Sequence, residues 1–184
     1  MEAAAVTRAG PNRLLVAAAA GAAVALALGV YGNVHDPSQE LVFTMFFSST
    51  ISMKVWFATL ALAFAVVQVT TALWVYGKLG VRAPDWAGSV HRISGRLAFL
   101  STLPVAYHCL WSLGFQDTDT RVLAHSILGC VFYGAFAAKV TIVRSHNLPG
   151  WALPVAGGLI FAVLVLVWYT SALWFIDEQG WPDL

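Results

Sequence analysis

Five histidines, His35, His91, His108, His125 and His146, are the residues of this 184-residue chain best suited to chemistry. Two of them share a local pattern, His91-Arg-Ile-Ser-Gly95 and His125-Ser-Ile-Leu-Gly129. A spacing of four puts each glycine on the face of its histidine, one helical turn away. The missing side chain opens room beside the imidazole, either for a flat body such as a porphyrin or for a closely packed helix, since small residues are also the usual means of packing membrane helices. A buried neutral imidazole is a good axial ligand for haem iron, and a second imidazole opposite it closes the coordination sphere. Closure of that kind suits electron transfer better than oxygen chemistry.

These side chains must be positioned by elements that the composition already defines. The chain is 59% hydrophobic and 10% charged, with a mean hydropathy of +0.75, against about 25% charge in ordinary soluble domains. It reads as an integral membrane protein. A net charge of +1 gives no basic excess for a nucleic-acid partner. Two cysteines, Cys109 and Cys130, both inside apolar runs, build neither a disulfide framework nor a four-cysteine zinc site. They read as small packing hydrophobes.

Crossing a bilayer takes about 20 residues, and five stretches qualify: Leu14–Tyr31, Val55–Tyr76, Leu97–Phe115, Val122–Val143 and Trp151–Ile176. An all-α membrane bundle of five transmembrane helices is expected, forming one domain over residues 1–184, with the third rod beginning near Arg92. Short connections make neighbours antiparallel. The first stretch is longer than a signal-peptide core and shows no clear cleavage site, so it reads as a retained helix. Basic residues favour the cytoplasmic side. Arg8, Arg13, Lys78, Arg82, Arg92, Arg96, Lys139 and Arg144 fall on one side, eight of the ten, and only Lys54 and Arg121 on the other. The N-terminus is therefore expected in the cytoplasm and the C-terminus outside, in a multi-pass protein of the plasma membrane. The greasy segment Leu41–Ile51 is expected on the external side, either in the membrane interface or over the end of the bundle.

Depth then sorts the histidines. His108 stands about 16 Å from the inner end of the third stretch, and His125 near the outer start of the fourth. They are the expected pair for a haem in the external half. His91 and His146 both fall near the internal face and form the candidate second pair. His91 and His108 are seventeen residues apart, roughly 100° round an ideal helix. Pro104, which removes a helix hydrogen bond, is expected to bend the third helix and splay it from the fourth, because consecutive helices packed about 8–10 Å apart leave little room for a porphyrin. Arg92 and Arg96 are placed to pair with haem propionates or to serve as ordinary positive-inside anchors.

The stretch His91-Arg-Ile-Ser-Gly-Arg-Leu-Ala-Phe-Leu resembles the histidine-bearing helix of ferric-reductase-like transmembrane domains. Ala124-His-Ser-Ile-Leu-Gly-Cys-Val-Phe resembles a haem-ligand helix of the cytochrome b561 group. The resemblance covers about half the chain. It implies a b-type cytochrome that moves electrons across or within the membrane, with one or two haem b groups. His91 and His125 would then be iron ligands, His146 and His108 their partners in depth, and Gly95, Gly129 and Arg96 part of the cofactor sites. The second stretch, Val55–Tyr76, has no histidine, a departure from both patterns.

Other chemistries have little support. No phosphate loop, nucleophile elbow or H-E-x-x-H motif is present. A copper site from His108, Cys109, His125 and Met45 has suitable ligand softness, yet residues 108 and 109 point about 100° apart on a helix. The chain carries nothing resembling a flavin, nicotinamide or iron–sulfur domain, so its redox partners must be separate proteins or a larger membrane complex; as an enzyme it would be the membrane electron-transfer subunit of an oxidoreductase. The alternative is a cofactor-free accessory subunit of a larger membrane complex, its histidines engaged in hydrogen bonds between helices.

Overall fold

A computed structural model describes residues 12–40 and 43–184. Arg8 and the beginning of the Leu41–Ile51 segment lie outside the described residues. Every regular element within them is helical: α1 (Asn12–Val34), α2 (Thr50–Val75), α3 (Ala87–His108), α4 (Thr120–Arg144), α5 (Ala152–Trp168) and the short α6 (Trp174–Gln179). A π-helical turn, Cys109–Leu113, extends α3, and another, Tyr169–Leu173, joins α5 to α6. Four rods are long and apolar enough to cross a membrane: α1, α2, α4, and α5 with its continuation. The less apolar fifth, α3, carries His91, Arg92 and Arg96 in its first turns.

Each expected stretch corresponds to one rod, and the differences lie at the ends. α2 begins at Thr50 rather than Val55, because the Ser49 hydroxyl accepts the Ser52 N–H at 3.1 Å and so satisfies one of the free donors of the first turn. Asp119 caps α4 in the same way, on the Val122 N–H at 2.9 Å. Pro104 lies inside α3. The departure from α-helical geometry comes five residues later, where the wider turn begins at Cys109.

α3 lies antiparallel along α2, α1 packs on α4, and α5 packs on both α4 and α2. The rods thus follow one another round the bundle as α1, α4, α5, α2 and α3. The turn after α3 meets the end of α1, where the Phe115 N–H donates to the Gly32 carbonyl at 2.6 Å. Small residues bring α1 and α4 together: a Cβ on Gly21 would stand 2.7 Å from the Gly134 carbonyl oxygen, and one on Gly134 2.6 Å from that of Gly21. By contrast α3 and α4, consecutive in the chain, meet through long side chains. Phe99 stacks on Phe136 at 4.0 Å, and the Tyr133 hydroxyl donates to Thr102 Oγ1 at 2.9 Å. Space remains between these two rods.

Large apolar side chains such as Leu26, Val30, Leu100 and Val155 point outward, whereas the buried apolar residues are few and mostly small, with one cluster formed by Ala65, Phe132, Val163 and Leu164. Soluble helices bury a single apolar stripe. Rods that are apolar all round, with their backbone groups paired internally, suit a hydrocarbon solvent.

A central cavity as candidate functional site

The space left between α3 and α4 is a cavity of about 320 Å³ with walls from all five rods. It lies toward the end of the bundle where α2 and α4 begin, here the His125 end. The opposite end is the His91 end.

His125 lines this cavity from α4. Its Nδ1 lies 3.2 Å from Thr170 Oγ1 in the turn after α5. The Thr170 hydroxyl donates to the Leu166 carbonyl at 2.9 Å, so its oxygen is placed to accept from the ring. In the neutral ring with its proton on Nδ1, Nε2 would keep a free lone pair, the state of a metal-binding imidazole oriented by an outer partner. One turn on, a Cβ added to Gly129 would meet nothing within 4 Å. The notch beside the histidine is open, and the wall around it includes Leu164, Val167 and Phe132.

Both basic residues that stand apart from the charge asymmetry, Lys54 and Arg121, line the same cavity. The Arg121 guanidinium donates to the Thr170 carbonyl at 2.8 Å, lies 3.8 Å over the Trp174 ring and is 3.9 Å from Asp119. It ties the start of α4 to the end of α5. Half-buried Lys54 has no hydrogen bond or ion pair among the described residues.

His91, which opens with the same pattern, is held similarly. Its Nδ1 lies 3.1 Å from both Thr71 Oγ1 and the Gln68 carbonyl oxygen, and the Thr71 hydroxyl donates to the Val67 carbonyl at 2.7 Å. The ring therefore donates through Nδ1 here as well. The glycine differs. The Gln68 side chain fills the notch at Gly95 and donates from Nε2 to the His91 carbonyl, so a Cβ on Gly95 would run into its amide. His91 does not line the central cavity. His146 stands exposed in the turn before α5, its carbonyl accepting from Arg13 of α1. Arg92 donates to Ser89 Oγ at 3.2 Å and Arg96 is exposed; neither lines the cavity.

His108 reaches the His125 end, yet it does not line the cavity either. The residues of α3 and the start of its extension that do, Thr102, Val105, Ala106 and Cys109, centre roughly 110° round the helix from it. The antiparallel register set by Gln68 and Thr71 against His91 carries His108 to the level of Ile51 to Lys54 on α2. It is 3% exposed, and both ring nitrogens lack a partner, as do the buried hydroxyls of Thr50 and Ser112 nearby in register. His35 serves as a latch: its Nε2 is 3.1 Å from the Trp111 carbonyl oxygen and its ring stacks on Tyr31. Among the described residues no three of His, Cys, Asp or Glu converge, so the copper set is not assembled; adjacent positions 108 and 109 face different walls.

Sequence reasoning missed Thr170 and the place of Lys54, and noted Gln68 only as a polar residue within an apolar stretch. The threonine carries no local signal, because it matters through a helix remote in sequence. Lys54 did carry one, as an isolated cation on the side poor in basic residues. No curated protein and no solved structure matches the chain significantly. A family model described as a family of unknown function, DUF6529, matches residues 14–183, and the chain belongs to that family.

Proposed function

We propose that this protein is a b-type membrane cytochrome that relays electrons between separate redox partners through one haem in the central cavity, whose iron the His125 Nε2 would hold. The observation that carries the reading is the pairing of the His125 ring, held at Nδ1 by Thr170, with the open notch at Gly129. Apolar walls around an imidazole suit a porphyrin face, and the haem would supply a one-electron carrier. Thr170 holds the ring, Arg121 fixes the start of α4 against α5, and the surrounding aliphatic side chains exclude water. His108, on the helix that forms the facing wall, does not line the cavity and supplies no ligand in this reading. The His91 end offers less support, since Gln68 fills its notch.

In this reading all five rods cross the plasma membrane, with the His125 end external. The basic residues supply the orientation. Aromatic residues support two interfaces: Trp56 lies 5.1 Å from Trp181 at the His125 end, and Trp74 meets Trp86 edge-on at 5.6 Å at the other.

The test is the absorption spectrum of the detergent-purified protein, oxidised and then dithionite-reduced. A Soret band and a reduced α-band are expected, both lost in His125→Ala. Absence of both bands from the wild type overturns the reading and favours the cofactor-free accessory subunit.

A further inference from the structure

Lys54 is a cation in a place that disfavours it. It stands on an apolar helix, on the side poor in basic residues, half-buried and with no hydrogen bond or ion pair among the described residues. A lysine near a helix end ordinarily snorkels away from the protein to reach water. Lys54 instead lines the central cavity, as does the one other basic residue on this side, Arg121. Arg121 has its guanidinium engaged by the Thr170 carbonyl, the Trp174 ring and Asp119. The acidic residue nearest in the chain, Glu40, does not line the cavity. The Lys54 ammonium thus faces a largely apolar chamber with no ion pair among the described residues.

We infer that the cavity takes an amphipathic ligand bearing a carboxylate, and that Lys54 pairs with that carboxylate at the His125 end. This rests on the cavity being a ligand site; where the ligand is haem, the groups are its propionates. A charge-assisted hydrogen bond in a low-dielectric site is stronger and shorter than a neutral one. The apolar body of the ligand then lies deeper, against Gly129 and Tyr133, while its charged end stays near the mouth. Lys54 replaces Arg92 and Arg96 as the anion partner, since neither arginine lines the cavity.

The experiment titrates the full-length protein in neutral detergent with haem b and with its dimethyl ester, whose propionates carry no charge. The wild type should bind haem at least about tenfold more tightly than the ester, the effect of about 1.4 kcal/mol. Lys54→Met should bind both at the level of the ester, and Lys54→Arg should restore the preference. Equal binding of the two porphyrins by the wild type, or a preference that survives in Lys54→Met, overturns the inference while leaving haem binding standing. If neither porphyrin binds, the haem reading fails on its own. The inference is then decided with oleate and methyl oleate: a preference for oleate that depends on Lys54 upholds it, and no preference overturns it.

Discussion

His91 and His125 open the same five-residue pattern, and each donates its Nδ1 proton to a threonine of a neighbouring helix whose own hydroxyl is bound to a carbonyl one turn back. What differs is the space over the glycine. At Gly95, Gln68 reaches across from the closely packed α2 and fills it, whereas at Gly129 the facing rod α3 stands off and the notch opens into the cavity. A histidine and glycine four residues apart therefore specify an imidazole beside a groove. Whether the groove packs a helix or receives a ligand depends on which helix faces it.

The largest expected effect separates the two histidines. His125→Ala should lower bound haem at least about tenfold, since even changes to outer partners of a metal ligand act on a scale of 10–100-fold. His91→Ala should keep full occupancy, with both read by the reduced pyridine haemochrome of purified protein. Equal losses would erase the distinction between the sites.

The glycines should diverge in the opposite sense. Gly95→Val forces its side chain into the Gln68 amide and should destabilise the fold by about 1–3 kcal/mol, seen as a lower midpoint of denaturation in detergent. Gly129→Val should leave that midpoint unchanged and reduce haem occupancy instead. The cause at Gly95 can be isolated with Gln68→Ala, which empties the notch. Combined with Gly95→Val it should recover stability relative to the sum of the single changes, by an amount within the usual 0.5–3 kcal/mol coupling of touching residues, about 1 kcal/mol here. Additivity would show that the amide is not what the valine meets.

The smallest effects concern the two threonines. Thr71→Val and Thr170→Val each remove one hydrogen bond to a ring and should cost about 0.5–1.5 kcal/mol of stability. Only Thr170→Val should also shift the reduced α-band, because only that ring is oriented toward the cavity.

Much of the helical framework was legible in order. Apolar runs of about 20 residues punctuated by His35–Gln39, Gly77–Ser89, Gln116–Arg121 and Arg144–Gly150 place the four long apolar rods and the less apolar α3 in order, because hydropathy and turn chemistry are local properties. The helix starts were less legible: Ser49 and Asp119 extend α2 and α4 through caps that hydropathy does not register. His125 and Gly129 were found as a local pair, while the depth argument that joined His125 to His108 accounted for height along the bundle but not for direction. His108 stands roughly 110° round the helix from the residues that line the cavity, a matter of rotation that depth does not fix.

From its sequence alone the chain is committed to apolar helices, to a strong asymmetry of basic residues and to two imidazoles each set beside a glycine, since these follow from side-chain types at helical spacing. The tertiary structure decided that α2 pairs with α3 and α1 with α4, and hence that α3 and α4 part around a cavity holding His125, Gly129, Lys54 and Arg121. The physical reason is that an opening over a glycine, or a lysine facing an apolar chamber, is a relation between helices remote in the chain, and such relations arise only when small residues such as Gly21 and Gly134 let particular pairs of rods approach.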